Sequence, residues 1–161
     1  MKHDDLLQEY LNGIKLLDNI VSNLSKDQIL FIPLFDNAWS IQEHVIHIVE
    51  SEINNFIRWR SILAQPNSKC FVIEEDNWNK NLNYQQEDIC KYLNIFKLLR
   101  TLTYDYLKTV EESKWNQNYF IHEYHGDINK ITLEQNIEIY AKHVYSHIEY
   151  IERNISFLRK M

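Results

Sequence analysis

The sequence TLEQNIEIYAKHVYSHIEYIERNISFL, residues 132–158, has the periodicity of a long amphipathic helix. At about 100° per residue, its apolar side chains fall within roughly 40° of one line. These side chains are Leu133, Ile137, Val144, Ile148, Ile151, Ile155 and Leu158. Thr132, followed three residues later by Gln135, forms a capping-box pattern typical of a helix start. The stretch therefore predicts one long helix that buries a single face.

Three further segments show helical periodicity. They run from about Asp4 to Leu24, from Ser40 to about Ala64, and from about Tyr84 to Ser113. Ser40 and Glu43 form a second capping box, and Pro66 is expected to end that helix. Four long helices predict an all-α fold, an antiparallel four-helix bundle in one domain spanning residues 1–161.

The segments between the predicted helices lack a sustained periodicity. Residues 25–38 are predicted to be a connector with a short apolar turn, and residues 66–83 an ordered loop that carries Trp78. A polar loop with Gly126 is expected before the last helix. The connections between the first and second helices and between the second and third are therefore the longer ones.

Composition excludes several classes of protein. The chain has 161 residues, of which 45% are hydrophobic, and its mean hydropathy is −0.45, which argues against both disorder and an integral membrane protein. Two glycines and two prolines leave little material for the turns of a β-sandwich. The net charge of −6, without a basic run, argues against a nucleic-acid partner.

The first ten residues, MKHDDLLQEY, contain three acids and no apolar core, so no signal peptide is expected there. A cytoplasmic location follows as a prediction. Cys70 and Cys90 are not spaced as a redox or zinc pair, and we expect both to be free thiols.

Two of the seven histidines, His143 and His147, stand four residues apart in the last predicted helix. Their side chains lie one above the other, roughly 60–100° from the centre of the apolar stripe. Such a pair can bind a divalent metal ion, although two ligands alone bind weakly. Without a third ligand, the pattern is more typical of two half-exposed surface histidines.

A third ligand could come from the second predicted helix, where His44 and His47 are three residues apart. Only one of them is expected to face the pair on the last helix. The helical wheel slightly favours His44 and does not decide the choice. His122 and His125, in the loop before the last helix, are a further alternative.

Several better-known sites are excluded by their patterns. Val144 follows His143, so the chain lacks the HExxH pattern of zinc proteases. No Glu-x-x-His occurs, which excludes a ferritin-like di-iron site. The sequence also lacks a glycine-rich phosphate loop and a GxSxG nucleophile elbow.

The segment WSIQEHVIHIVESE, residues 39–52, resembles the second-helix signature of the DinB-like superfamily, in the branch that contains bacillithiol transferases and metal-dependent hydrolases. Trp39 itself is interpreted as a core anchor at the start of the helix. Further similarities lie in NNFIR (54–58), EDNW (75–78), FIH (120–122) with Gly126, and YAKH (140–143) with His147. The resemblance covers the chain from the second helix onward.

In the pattern of that family, the metal-binding histidine follows the tryptophan by eight residues, which is His47 here. The resemblance therefore implies one divalent ion held by His47, His143 and His147, with zinc or nickel favoured over iron or manganese. Glu50, one turn beyond His47, and Tyr140 are candidate catalytic groups beside the ligands.

The first functional hypothesis implied by the resemblance is transfer of a bacillithiol-like thiol cosubstrate to an electrophilic small molecule. The transferases of the branch have additional histidines where this chain has Ile46, Glu52, Ser146 and Tyr150. A hydrolase with a metal-bound hydroxide as nucleophile is the enzymatic alternative, and a non-catalytic metal-binding bundle is the third. The resemblance also implies a homodimer, whereas the absence of a nucleic-acid or membrane partner is expected from the charge and hydropathy of the chain.

Overall fold

The computed structural model describes residues 3–124 and 126–160. Four long helices form the bundle, and shorter elements occupy the connections. In chain order the elements are α1 (Asp4–Val21), α2 (Lys26–Leu30), α3 (Ile41–Ala64), α4 (Glu75–Asn81), a 3-10 turn (Tyr84–Gln86), α5 (Ile89–Leu107), α6 (Lys114–Gln117), β1 (Tyr119–Tyr124), β2 (Asp127–Thr132) and α7 (Leu133–Leu158). The predicted four-helix bundle is confirmed.

The four long helices form a ring in which α1 and α3 are each packed between α5 and α7. α3 is antiparallel to α7, since Asn154 donates to the Trp39 carbonyl oxygen and Asn136 donates to Asn55 further along. The order of the side-chain contacts along the other helix pairs gives their directions in the same way. α1 is antiparallel to α5, whereas α1 is parallel to α7 and α3 is parallel to α5. A parallel pair needs a connection that returns along the bundle, and residues 65–88 provide it.

Short elements occupy segments that were predicted to be connections. α1 ends at Val21 instead of Leu24. α2 follows with its own capping box, in which the side chains of Ser25 and Gln28 each accept a hydrogen bond from the other residue's backbone N–H. The predicted loop 66–83 contains α4, and the predicted Gly126 loop is the turn of the β1–β2 hairpin. These elements are too short for a periodic pattern to reveal them.

The third long helix is shorter than predicted. Asp88 caps its start by accepting a hydrogen bond from the Cys90 backbone N–H, at 3.0 Å, and the preceding Tyr84–Gln86 form the 3-10 turn. The helix ends at Leu107, six residues before the predicted end. By contrast, the capping boxes at Ser40 and Thr132 are both present as predicted.

A buried polar network joins all four long helices between two apolar clusters. The Glu52 carboxylate accepts a hydrogen bond from Arg100 Nε at 2.9 Å, and each side chain is only 1% exposed. Tyr10 and Asn55 also donate to Glu52, and Arg100 donates to backbone carbonyls of α1 and α7. Gly13 makes room for Arg100, because a Cβ at that position would lie 2.2 Å from Arg100 Nη1.

None of the described helices is long and apolar enough to cross a membrane. Cys70 is half-buried, Cys90 is exposed, and both are free thiols. The homodimer stays a prediction.

Candidate metal centre

Three imidazoles from α3 and α7 converge at the centre of their antiparallel contact. His143 Nε2 lies 3.1 Å from His147 Nε2 and 3.3 Å from His47 Nε2. All three ligand atoms are within 4.8 Å of one another. The spacing of four residues on α7 places two rings on one face, and the antiparallel register brings His47 opposite them.

His44 also reaches α7, although only one of the two α3 histidines was expected to do so. Its Nδ1 lies 3.0 Å from His147 Nδ1, on the side of that ring away from His143. His44 and His47 are 7% and 5% exposed, because α2, α4 and the 3-10 turn cover the N-terminal half of α3 in addition to the bundle. A helical wheel assumes one buried face, and this half of α3 is buried almost all round.

Burial keeps these four imidazoles neutral. It lowers the pKa of His44 and of His47 to about 4, of His143 to about 3 and of His147 to about 2. Mutual repulsion lowers the pKa of His44, His143 and His147 further, whereas the Asp76 carboxylate acts in the opposite direction on His47. At neutral pH each ring therefore has a lone pair available to a metal ion.

The donor set fits a divalent metal ion. Imidazole nitrogen suits zinc, nickel, copper and iron, and bonds of about 2.0–2.1 Å in a tetrahedral site separate ligand atoms by roughly 3.4 Å. The two shorter nitrogen–nitrogen distances, 3.1 and 3.3 Å, are close to that separation. Three protein ligands leave the remaining coordination positions to water or substrate.

Two cavities flank the histidine cluster. The first, of about 300 Å³, is lined by His47 and His143 together with Arg58, His122 and Tyr140. The second, of about 240 Å³, is lined by residues that include His44, His147, Trp39 and Arg153. Glu75, at the start of α4, lines both cavities, so the connection between α3 and α5 forms a wall on each side of the cluster.

Known proteins share this architecture. The structure of YfiT from Bacillus subtilis, described as a probable metal-dependent hydrolase with an unusual four-helix bundle topology, superimposes with a TM-score of 0.86. It is 22% identical in sequence, and the match covers 96% of this chain and 86% of that one. No protein-family model matches the chain.

Curated relatives agree with the structural match. The chain is 23% identical over 145 residues to "Putative metal-dependent hydrolase YfiT" of Bacillus subtilis, covering 86% of this chain and 79% of the relative. It is 25% identical over 118 residues to the BH0277 protein of Halalkalibacterium halodurans, which has the same description, covering 73% and 66%. In sequence the chain is similar to these metal-dependent hydrolases, and in fold to YfiT, in agreement with the DinB-like resemblance of its sequence. Both relatives are named as hydrolases and not as transferases.

The other residues singled out from the sequence differ in their relation to this candidate metal centre. Tyr140 lies beside it, with its ring against that of His143, and its hydroxyl accepts a hydrogen bond from Arg58 Nη1 at 2.8 Å. Glu50 instead accepts a hydrogen bond from Tyr84 and lines a separate apolar cavity. His122 lines the first cavity, and His125 is outside the described residues.

Two residues at the centre were not expected from the sequence to take part in the site. The Trp39 ring packs against His44, His47 and His147 and so supports the imidazoles. It is half-buried and belongs to neither apolar cluster, so the interpretation of Trp39 as a core anchor is not confirmed. Arg58 lies eleven residues after His47, three helical turns along, and therefore on the same face of α3. This spacing is visible in the sequence and could have indicated that Arg58 lies on the same side of the helix as His47.

Proposed function

We propose that this DinB/YfiT-like chain is a metal-dependent hydrolase of a small-molecule substrate, in which His47, His143 and His147 hold one divalent ion. The convergence of three neutral imidazole nitrogens from two helices is the observation that carries the proposal. The names of the relatives support the reaction class. Zinc and nickel are the ions we expect to bind most readily.

A divalent ion held by neutral ligands would act as a Lewis acid, activating water for attack on an electrophilic substrate. The first cavity supplies the other groups. Burial raises the pKa of Tyr140 to about 12, against the opposing pull of Arg58, so its hydroxyl keeps its proton and can donate it to a substrate oxygen. Burial and the neighbouring Asp76 and Glu74 raise the pKa of Glu75, which suits that carboxyl group to exchange a proton with the substrate.

Thiol transfer is the second candidate, because the same neutral ligand set would favour a bound thiolate as well as activated water. The two reactions differ in what they require. Hydrolysis needs only water, whereas transfer depends on added thiol and consumes it in equal amount with the electrophile.

Titration of the metal-free protein with zinc or nickel, with binding measured by isothermal titration calorimetry, tests the proposal. We expect about one equivalent of zinc or nickel to bind to the wild type, and no comparable binding to His47→Ala or His143→Ala. His3→Ala is the matched control, since His3 is a buried histidine stacked on Trp115 at the other end of α7. Equal metal binding by the wild type and both cluster variants would contradict the proposal.

Assays of the loaded protein then separate the two reactions. p-Nitrophenyl acetate reports hydrolysis without thiol, and monochlorobimane with glutathione or bacillithiol reports transfer. Turnover that is lost in the cluster variants and needs no thiol supports the hydrolase; turnover that appears only with thiol supports the transferase. A protein that binds the metal, gains stability and turns over neither substrate class is a non-catalytic bundle.

His44 is expected to position His147 for the ion. If His147 presents Nε2 to the metal, its Nδ1–H donates to His44 Nδ1, which fixes the tautomer and the ring orientation. We therefore expect His44→Phe to weaken metal affinity by about 10–100-fold in the same titration. His44→Asn, whose side-chain oxygen can accept a hydrogen bond, is expected to lose less, and equal losses in the two variants would argue for a packing role alone.

A further inference from the structure

Arg58 differs from the buried Arg100 in having no counter-ion in the part of the chain that the structure describes. It is half-buried on α3, and no carboxylate lies within 4.0 Å of it among residues 3–124 and 126–160. Arg100, by contrast, is paired with Glu52. Because buried charges in proteins are normally paired, an unpaired guanidinium calls for an explanation.

The protein groups around Arg58 are neutral acceptors. Its Nη1 donates to the Tyr140 hydroxyl at 2.8 Å and its Nη2 to the Phe71 carbonyl oxygen at 2.9 Å, while its buried Nε–H has no partner among the described residues. Burial and the Arg58 charge itself lower the pKa of His122, so that ring stays neutral beside the guanidinium. The guanidinium is thus held in a fixed position without being neutralised.

The position of Arg58 is next to the candidate metal centre. Arg58 and His122 line the same cavity of about 300 Å³ as His47 and His143. Glu75 lines this cavity too, but outside ion-pair distance of Arg58, so the cavity has a positive end and an acidic wall. A substrate that reaches the histidines through this cavity passes the guanidinium.

We propose that Arg58 binds an oxyanion of the substrate, a carboxylate or a phosphate, while the reacting bond lies at the histidine cluster. This inference rests on the proposed function for the reaction, but the anion site itself requires only the cavity. The guanidinium of arginine matches pairs of oxygens on carboxylates and phosphates through parallel N–H groups, which makes such contacts both strong and orienting. The substrate class is therefore an anionic small molecule whose charged group is remote from the reacting bond.

Binding of three matched probes tests the inference. Benzoate and phenyl phosphate carry the two kinds of oxyanion, and benzamide is the neutral counterpart of benzoate. Each is titrated by calorimetry into the wild type, Arg58→Met, Arg58→Lys and Arg60→Met, in both metal-free and zinc-treated protein. Arg60 is the matched control, since it lies two residues away on the same helix, is exposed, and stacks over Phe56 and Trp59 instead of lining the cavity.

We expect the wild type to bind at least one of the two anions about 10-fold or more tightly than benzamide, in metal-free protein as well. Arg58→Met should abolish this preference, Arg58→Lys should keep part of it, and Arg60→Met should leave it unchanged. The relative affinities of benzoate and phenyl phosphate identify the preferred oxyanion. Circular dichroism and thermal unfolding confirm that each variant is folded.

Other outcomes overturn the inference separately from the proposed function. An anion preference that persists in Arg58→Met and requires zinc would place the anion on the metal, so the inference would fail while the metal site stood. Equal affinity of the wild type for anions and benzamide, or a lower melting temperature of Arg58→Met with unchanged preference, would make Arg58 a structural tie to Phe71. An Arg58-dependent preference in a protein that binds no metal would support the inference and reject the proposed function.

Discussion

Glu52→Ala is expected to lower the free energy of unfolding by about 3–5 kcal/mol, measured by urea denaturation of the metal-free protein. The substitution leaves the Arg100 charge in the centre of the bundle without its carboxylate, and it removes the acceptor shared by Tyr10 and Asn55. Removing one partner of a buried ion pair is much more costly than removing both, because the remaining charge stays desolvated.

Two controls identify the ion pair as the cause. Glu50→Ala removes a carboxylate two residues away on α3 that is half-buried and bonded to Tyr84, and we expect a loss of about 1 kcal/mol. The double variant Glu52→Leu/Arg100→Met removes both charges and is expected to be more stable than Glu52→Ala. Similar losses for Glu52→Ala and Glu50→Ala would show that the network contributes little.

Acidification of the metal-free protein from pH 6.5 to pH 4 is expected to destabilise it steeply. The four imidazoles of the cluster have folded-state pKa values of about 2 to 4, below the value of 6.5 that applies to an unfolded chain. In this interval the unfolded chain takes up protons that the folded protein does not. Each such imidazole therefore lowers the free energy of unfolding by up to about 1.4 kcal/mol per pH unit.

Denaturation curves at a series of pH values measure this slope. Glu50 and Glu75 act in the opposite direction, because burial raises their pKa and the folded protein binds their protons more readily. The comparison of wild type with His44→Phe removes this contribution of the carboxyl groups. In the variant, the slope of the free energy of unfolding against pH is expected to be shallower by the equivalent of up to one bound proton. Parallel curves for the two proteins would mean that His44 is already protonated in the folded state.

Local signals in the sequence determined what could be predicted of the fold. The capping boxes at Ser40 and Thr132 and the apolar stripe of residues 133–158 depend on neighbours within a few turns, and the structure confirms them. The short helices α2 and α4 and the hairpin depend on contacts with the bundle, so no periodic pattern revealed them. The parallel packing of α3 with α5 is likewise a property of the tertiary arrangement.

The candidate site shows the same division. His143 and His147 could be paired from their spacing alone, but the choice of His47 over His44 came from the family resemblance and stays a prediction, since both rings reach α7 in the structure. The wheel failed there because α3 is buried on nearly every side in its first half. Arg58 could have been noticed, since His47, Ser51, Asn54 and Arg58 follow one another at helical spacing and all line one cavity.

The connection between α3 and α5 has an evolutionary consequence. Its residues Val72, Ile73, Glu75 and Asp76 form walls beside the histidines, whereas the imidazoles themselves are on the long helices. Surface connections accept insertions and substitutions far more readily than packed helices do. The proposed function therefore implies that relatives with this bundle acquire new substrates by changing one segment, while the candidate metal centre is inherited intact.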